Sequence, residues 1–304
     1  MKSIFVMGLI NIETTLAVDH IPIEYTPVRY PFFGVNSTVS GVGLNIAKAL
    51  HTLGDNVTFA SLIGDDSGGN LTRAELRTLG IADQRVLSHL TATPQSVVIY
   101  EPSGRRMIFT DLKDVQETPY PFEHATSPLQ ACDIAVLCNI NFSRAMLAEA
   151  QRLGKPIATD VHAISNLDDE YNADYMRAAH LLFMSHERLP DSPESWVRQV
   201  WQRYATPIVV IGMGAEGALL AVYRDHFIER IPAVQTRPIV NTIGAGDALF
   251  SAFVHSYAHH ADPYAALKRA VVFASYKIGT AGAADGFINA TMLDALCAQV
   301  YSTP

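Results

Sequence analysis

Along most of the chain, short apolar runs alternate with stretches in which apolar residues return every three or four positions. "SIFVM" (3–7), "VTFASL" (57–62), "IAVLC" (134–138), "PIAT" (156–159), "LLFM" (181–184) and "PIVVI" (207–211) are too short for helices and predict buried strands. Between them, "GLNIAKALHTLG" (43–54) places Ile46, Ala47, Leu50 and Leu53 on one helical face. "SGGNLTRAELRTLGI" (67–81) does the same with Leu71, Ala74, Leu76 and Leu79, and glycines stand at the ends of both helical patterns, as at many helix C-caps. Repeated strand–helix–strand units predict a mostly parallel sheet covered on both faces.

The rhythm breaks twice. Residues 14–40 and 95–111 hold β-branched and aromatic residues with prolines, and a turn at Pro102–Gly104, but no helical period. They predict a small antiparallel addition, a lid or a dimer face, outside the α/β body. With no low-complexity linker and no internal repeat, residues 1–304 are expected to form one large domain with an inserted lid.

Composition narrows the classes. The 304 residues are 49% hydrophobic and 17% charged, the balance of a compact chain rather than a disordered one. A net charge of −8 argues against a nucleic-acid partner, and the densest basic run is only "GRR" (104–106). No apolar run reaches the ~18–20 residues needed to span a bilayer, so no membrane partner is expected. The opening "MKSIFVMGLINIE" shows no cleavage-site pattern and suits a buried first strand better than a signal peptide. Cys132, Cys138 and Cys297 are odd in number and lack C-x-x-C spacing, which predicts free thiols and a cytoplasmic location.

Two glycine motifs compete for the chemistry. "GMGAEG" (212–217) matches G-x-G-x-x-G, but a dinucleotide site requires a helix to open there and an acid ~20 residues on. "ALLAVYRDHFIERIP" follows instead and predicts a β-hairpin. In "VNTIGAGDALFSAF" (240–253), Leu249, Phe250, Phe253, Val254 and Tyr257 recur at helical spacing, so Gly244, Ala245 and Gly246 fall at a helix N-terminus. Asp247 in that first turn would stabilise the helix end by charge alone. That role leaves the flanking glycines unexplained. An alternative role explains them: amides that hold a transferring phosphoryl group, with Asp247 taking the proton of the attacking hydroxyl.

At this point the motifs resemble those of a family. "NTIGAGD" closely resembles the D-T-x-G-A-G-D signature of the PfkB carbohydrate and nucleoside kinases, which have the ribokinase-like fold. "VMGLINIE" (6–13) resembles the family's G-x-x-N-x-D first strand and "SGVGLNIAKALHTLG" (40–54) its G-G-x-G-x-N-x-A signature. "SLIGDDSGG" (61–69) resembles its G-x-D-x-x-G segment, and "GMGAEGAL" (212–219) its T-x-G-x-x-G strand–loop. The matches keep their order along nearly the whole chain.

The resemblance implies a three-layer α/β sandwich with a mostly parallel central sheet and a small β lid. It implies ATP-dependent phosphorylation of a hydroxyl, primary in the first instance, on a sugar or sugar derivative. Asp247 would be the catalytic base and the backbone of Gly244, Ala245 and Gly246 the anion hole. Asn11, Glu13 and Asn45 would bind acceptor hydroxyls, with Gly41 allowing close approach of the substrate. Gly214 and Gly217 would line the ATP site and Thr242 would lie near the phosphates. The lid would cover the sugar and mediate a homodimer. Its Tyr25, Tyr30, Phe32 and Phe33 are expected to pack the lid or that interface rather than stack on a base. A nucleoside kinase is the alternative acceptor class, and a ligand sensor without turnover is a third reading.

The chain also departs from the family pattern. Glu13 replaces the usual aspartate, Ser40 the first glycine of the first signature, and Val42 stands where ribokinase carries lysine. Asn241 replaces the aspartate that helps to bind the cation in potassium-activated members, which weakens the expectation of K⁺ there, though its carbonyl oxygen could still serve the ion. For Mg²⁺ the resemblance implies Glu187, in "MSHER", acting through water and ATP oxygens. Asp160 and His162 either line the site or simply end a strand. His255 and His259 have the i, i+4 spacing of metal ligands, but with no third ligand evident they are expected on an exposed helix end. Arg105 and Arg106 are expected in a solvated turn.

Overall fold

The structure is a computed structural model that describes residues 1–280 and 282–301. In chain order it runs β1 (Ser3–Met7), β2 (Asn11–Ala17), β3 (Val35–Ser40), α1 (Val42–Thr52), β4 (Asn56–Gly64), α2 (Ser67–Leu79) and β5 (Val86–Leu90). β6 (Gln95–Tyr100), β7 (Arg106–Asp111), α3 (Phe122–Ala131), β8 (Ile134–Leu137), α4 (Asn141–Arg152), β9 (Ile157–Asp160) and α5 (Ala173–Ala178) follow. The last third is β10 (Leu181–Ser185), α6 (Pro193–Tyr204), β11 (Ile208–Gly212), β12 (Ala218–Val222), β13 (Phe227–Ile231), α7 (Ala245–His260), α8 (Pro263–Lys277) and α9 (Ala290–Tyr301).

Nine strands form one sheet in the order β13-β12-β11-β10-β9-β8-β1-β4-β5. From β11 to β5 neighbouring strands are parallel, while β12 and β13 are the antiparallel hairpin expected after Gly212. The two-residue period of β1 shows how the layers arise. Ile4 and Val6 face a core shared with α1, α2, α7, α8 and α9. Phe5 and Met7 face the opposite core, shared with α3, α4, α5 and α6. Helix ends obey local chemistry: Asp66 caps α2 by accepting from Gly69 N at 2.8 Å, and Gly80 ends it in the left-handed region.

The lid is a second sheet, ordered β3-β2-β6-β7. It begins at Asn11, and it is mixed rather than purely antiparallel: β2 pairs antiparallel with β3 but parallel with β6. β6 reaches the lid from the far edge of the large sheet, after β5, and so runs in the same direction as β2. The aromatic residues expected to pack the lid stay exposed: Tyr25 is 91% and Phe33 101% exposed, and Tyr30 and Phe32 stack on each other with ring centroids 6.3 Å apart. Cys132, Cys138 and Cys297 are free thiols, as expected. Among the described residues, no helix is long and apolar enough to cross a membrane.

Candidate active site

The functional side chains gather at the carboxyl edge of the parallel sheet, where strands give way to loops and helices begin. The loop before α7 is shaped by Gly244, which caps the helix with φ 75°. A Cβ there would lie 2.2 Å from the Ala283 carbonyl oxygen, so only glycine fits. Not every amide of the expected anion hole is free: Ala245 N donates to Thr242 O at 3.2 Å. Those of Gly246 and Asp247, in the first turn, have no acceptor among the described residues. A Cβ on Gly246 would meet nothing within 4 Å, so open space lies over this turn.

Asp247 stands beside that space. Asn45, from α1, donates its Nδ2 to Asp247 Oδ2 at 2.7 Å, and Ser40 Oγ donates to Asn45 Oδ1 at 3.3 Å. The serine that replaces a family glycine thus orients the asparagine that holds the acid. Oδ1 of Asp247 has no hydrogen-bond partner among the described residues. Burial pushes the Asp247 carboxyl up to about 6; the Asn45 bond, His162 and Lys277 pull it down, and the Asp160 charge pushes it further up. A carboxylate tuned to that range is suited to accept a proton near neutrality.

Across the space, β2 supplies polar oxygens without partners. Asn11 donates Nδ2 to Ser96 Oγ at 2.8 Å, while its Oδ1 is buried and unpaired. Glu13 Oε1 is likewise buried and unpaired, and its carboxyl is pushed up by burial first and by the nearby Asp247 second. Buried oxygens are rarely left unpaired, and here a ligand's hydroxyls would satisfy them. Gly41 is demanded by packing. At φ 107° its absent Cβ would lie 2.6 Å from Leu9 O, so it lets the start of α1 close on the turn that carries Asn11.

Gly214 and Gly217 follow β11. Gly214, at φ 57°, opens onto free space, whereas Gly217 is demanded by packing, its absent Cβ falling 2.1 Å from Ile231 O. Thr242 Oγ1 accepts from Arg106 Nη1 at 3.2 Å, so this exposed lid arginine also ties the hairpin to the loop before α7. Arg105 reaches the other way, to Ile21 O at 3.1 Å. Asp160 Oδ1 accepts from His162 N at 2.7 Å, His162 adopts φ 57°, and both act electrostatically on Asp247, which places them at the site. Glu187 is exposed in a short 3₁₀ turn directly after β10. Asn241 accepts Ile243 N on its Oδ1 at 2.8 Å.

Two features escaped the sequence. Lys277, the last residue of α8, is wholly buried and donates to the Ile243 carbonyl. His255 is not on an exposed helix end but buried, and a third partner exists: His255 Nδ1 and His259 Nε2 lie 2.7 and 2.9 Å from the two oxygens of Asp55. Asp55 sits in the turn between α1 and β4, about two hundred positions away in sequence, where no local spacing reveals it. A cavity of about 250 Å³ between His180, Ile208, Tyr223 and Tyr257 lies at the amino edge of the sheet and takes no part in the site around Asp247.

Comparison with known proteins points to one family. The sequence profile of the pfkB family of carbohydrate kinases matches residues 1–290. The acarbose 7(IV)-phosphotransferase of Actinoplanes sp. is 27% identical over 258 residues, 84% of each chain. A deoxyribokinase of Salmonella typhi is 24% identical over 288 residues, 90% of this chain and 92% of that one. Among solved structures, a microbiome-derived acarbose kinase, Mak1, superposes with a TM-score of 0.88 at 25% identity, covering 98% of this chain and 99% of that one. The chain belongs to the pfkB family of carbohydrate kinases. It is an ATP-dependent phosphotransferase that acts on a hydroxyl of a sugar or sugar derivative.

Proposed function

We propose that the acceptor hydroxyl is a primary one, on a sugar or glycoside held by Asn11, Glu13 and Asn45, and that Asp247 is the base that deprotonates it. The observation that carries this is the half-open Asp247 carboxylate, facing free amides on one side and unpaired Asn11 and Glu13 oxygens on the other. As the hydroxyl oxygen attacks the terminal phosphorus of ATP, its proton passes to Asp247 Oδ1. The amides of Gly246 and Asp247, joined by that of Gly244, take up charge on the phosphoryl oxygens. Gly214, Gly217 and Thr242 would flank the nucleotide. The exposed Glu187 and half-buried Asp160 are hard oxygen donors of the kind Mg²⁺ accepts while keeping most of its waters, and the ion would neutralise phosphate charge. Closure of the lid would exclude water, the competing acceptor.

Residues 1–304 would act as one catalytic unit with its lid, in the cytoplasm, where three free thiols are at home. The exposed Tyr25, Tyr30, Phe32 and Phe33 suit a homodimer through the lid region. Similarity to two acarbose kinases favours an extended, sugar-like acceptor over a nucleoside. A coupled ADP-release assay with Mg·ATP tests this, against acarbose, oligosaccharides, free and phosphorylated sugars, sugar acids and nucleosides, with Asp247→Asn alongside. Turnover on a sugar or glycoside, lost in the variant, is expected. Turnover on nucleosides alone would move the acceptor class, and silence across the panel with ATP still bound would favour the sensor reading.

A further inference from the structure

Lysine is almost never fully buried without a partner. Lys277 is 0% exposed, and among the described residues its ammonium has one hydrogen-bond acceptor, the Ile243 carbonyl. Burial pulls its pKa down to about 8, against the pull of the Asp247, Asp285 and Glu13 carboxylates, while Arg237 opposes them. At neutral pH the group therefore keeps its proton.

The identity of the acceptor is what gives this lysine a role. The Ile243 carbonyl and the Gly244 N–H belong to one planar trans peptide, in which they point in opposite directions. Holding the carbonyl inward on Lys277 turns the Gly244 N–H away from α8, and Gly244 accepts the required φ of 75°. The Ile243 side chain is itself lodged between Val98 of β6 and Ala283. The peptide is thus fixed at both its carbonyl and its side chain.

The same residues do not fit the monovalent cation that the family resemblance implies near Asn241. Asn241 offers a neutral amide, and its Oδ1 is already used by Ile243 N. The carbonyl two residues on is already occupied by a positive charge. A second cation at that carbonyl would meet a like charge at close range in poorly screening surroundings.

We infer that Lys277 is a built-in cation of the phosphoryl-transfer loop, a positioning residue that holds the Ile243–Gly244 peptide with its N–H toward the phosphoryl group in place of an exchangeable ion. What the loop binds rests on the kinase reading; how the peptide is held does not.

Two variants test the assignment. Lys277→Met keeps the stem and removes the charge, and Lys277→Ala leaves a space lined by the carbonyl and the carboxylates. A merely structural lysine predicts a Met variant that is as stable or more so, with unchanged function. The built-in cation predicts the same stability in thermal melts, but kcat lower by about 10²–10³-fold, as for loss of one oxyanion donor, at nearly constant acceptor KM. It also predicts equal wild-type turnover in potassium and choline chloride, and partial rescue of Lys277→Ala by ammonium or potassium but not by choline. ATP affinity, measured by calorimetry without any acceptor, is expected to follow the same pattern. A wild type that binds ATP but turns over no acceptor would thus sink the kinase reading and leave the lysine comparison standing. Wild-type kcat and ATP affinity in Lys277→Met, or a wild type that requires potassium, would overturn the inference.

Discussion

The two halves of α7 each meet a carboxylate, and the chain treats the two differently. At the amino end, Asp247 has one oxygen held by Asn45 and the other open, and burial raises its pKa. Toward the carboxyl end, Asp55 is more deeply buried, yet an imidazole sits on each of its oxygens. Burial alone does not mark a reactive acid. What separates them is an unfilled valence beside free backbone amides: the satisfied acid ties the turn after α1 to α7, while the unsatisfied one is the acid proposed to act as the base.

The sharpest way to break this contrast is Asp247→Asn. We expect kcat to fall by about 10²–10⁴-fold, the usual worth of a positioned base. Stability should move the other way. The folded pKa of Asp247 lies above its unfolded value, so ionisation works against the fold as pH rises through that interval, and the neutral amide removes this cost. A higher melting temperature at pH 7.5 together with lost turnover would confirm both halves, whereas lost turnover with a lower melting temperature would recast Asp247 as a structural acid.

Next in size is pH. If Asp247 is the base, activity requires its ionised form and kcat/KM should fall as pH drops through about 6. If Lys277 holds the peptide by its charge, activity should fall again as pH rises through about 8. Asn45, Asp160 and His162 also face Asp247, so replacing His162 by Gln should move the acid limb upward. A flat profile from pH 5 to 7 would exclude Asp247 as the titrating base.

Glu13→Gln comes third. It keeps the shape of the side chain but offers a weaker acceptor to a ligand hydroxyl, and a lost charged hydrogen bond of about 1.5–3 kcal/mol corresponds to roughly 10–150-fold in kcat/KM. Kinetics with the best acceptor from the panel would show it; an effect confined to the KM for ATP would move Glu13 out of the acceptor site. At the other end of the helix, His255→Ala should cost about 3–5 kcal/mol in denaturant unfolding, because it strips one partner from a buried carboxylate, and should leave kcat unchanged. A loss of kcat without a loss of stability would erase the contrast between the two acids.

Much of this was legible in the residues themselves. The short apolar run "SIFVM" and the period of three to four in 43–54 returned β1 and α1 nearly to the residue, since buried strands and capped helices are local decisions. The glycine-flanked Asp247 was legible because no simpler role accounted for Gly244, whose Cβ would strike Ala283. What stayed hidden depends on pairing across long separations. Asp55 and His255 stand 200 positions apart, and Lys277 meets Ile243 across 34, so no periodicity records either contact. The lid's parallel β2–β6 pair was missed for the same reason. Hairpin signals reveal strands joined by a turn, and these two are not. The packing demand on Gly41 was hidden likewise, because the Leu9 and Asn11 backbone that crowds it lies about thirty residues before it.

β2 is an inner strand of the lid sheet, and it also carries Asn11 and Glu13. On the proposed reading, two of the three acceptor-binding residues therefore travel on the lid, whereas Asn45 travels on α1 and Asp247 and Lys277 travel on α7 and α8. The pieces meet at Asn45, Thr242 and Ile243. Such a division makes the fold modular in heredity. Drift or grafting confined to residues 11–40 and 95–111 can change which alcohol is chosen without rebuilding the apparatus that moves the phosphate, and a designer seeking a new acceptor has the same seam to cut along.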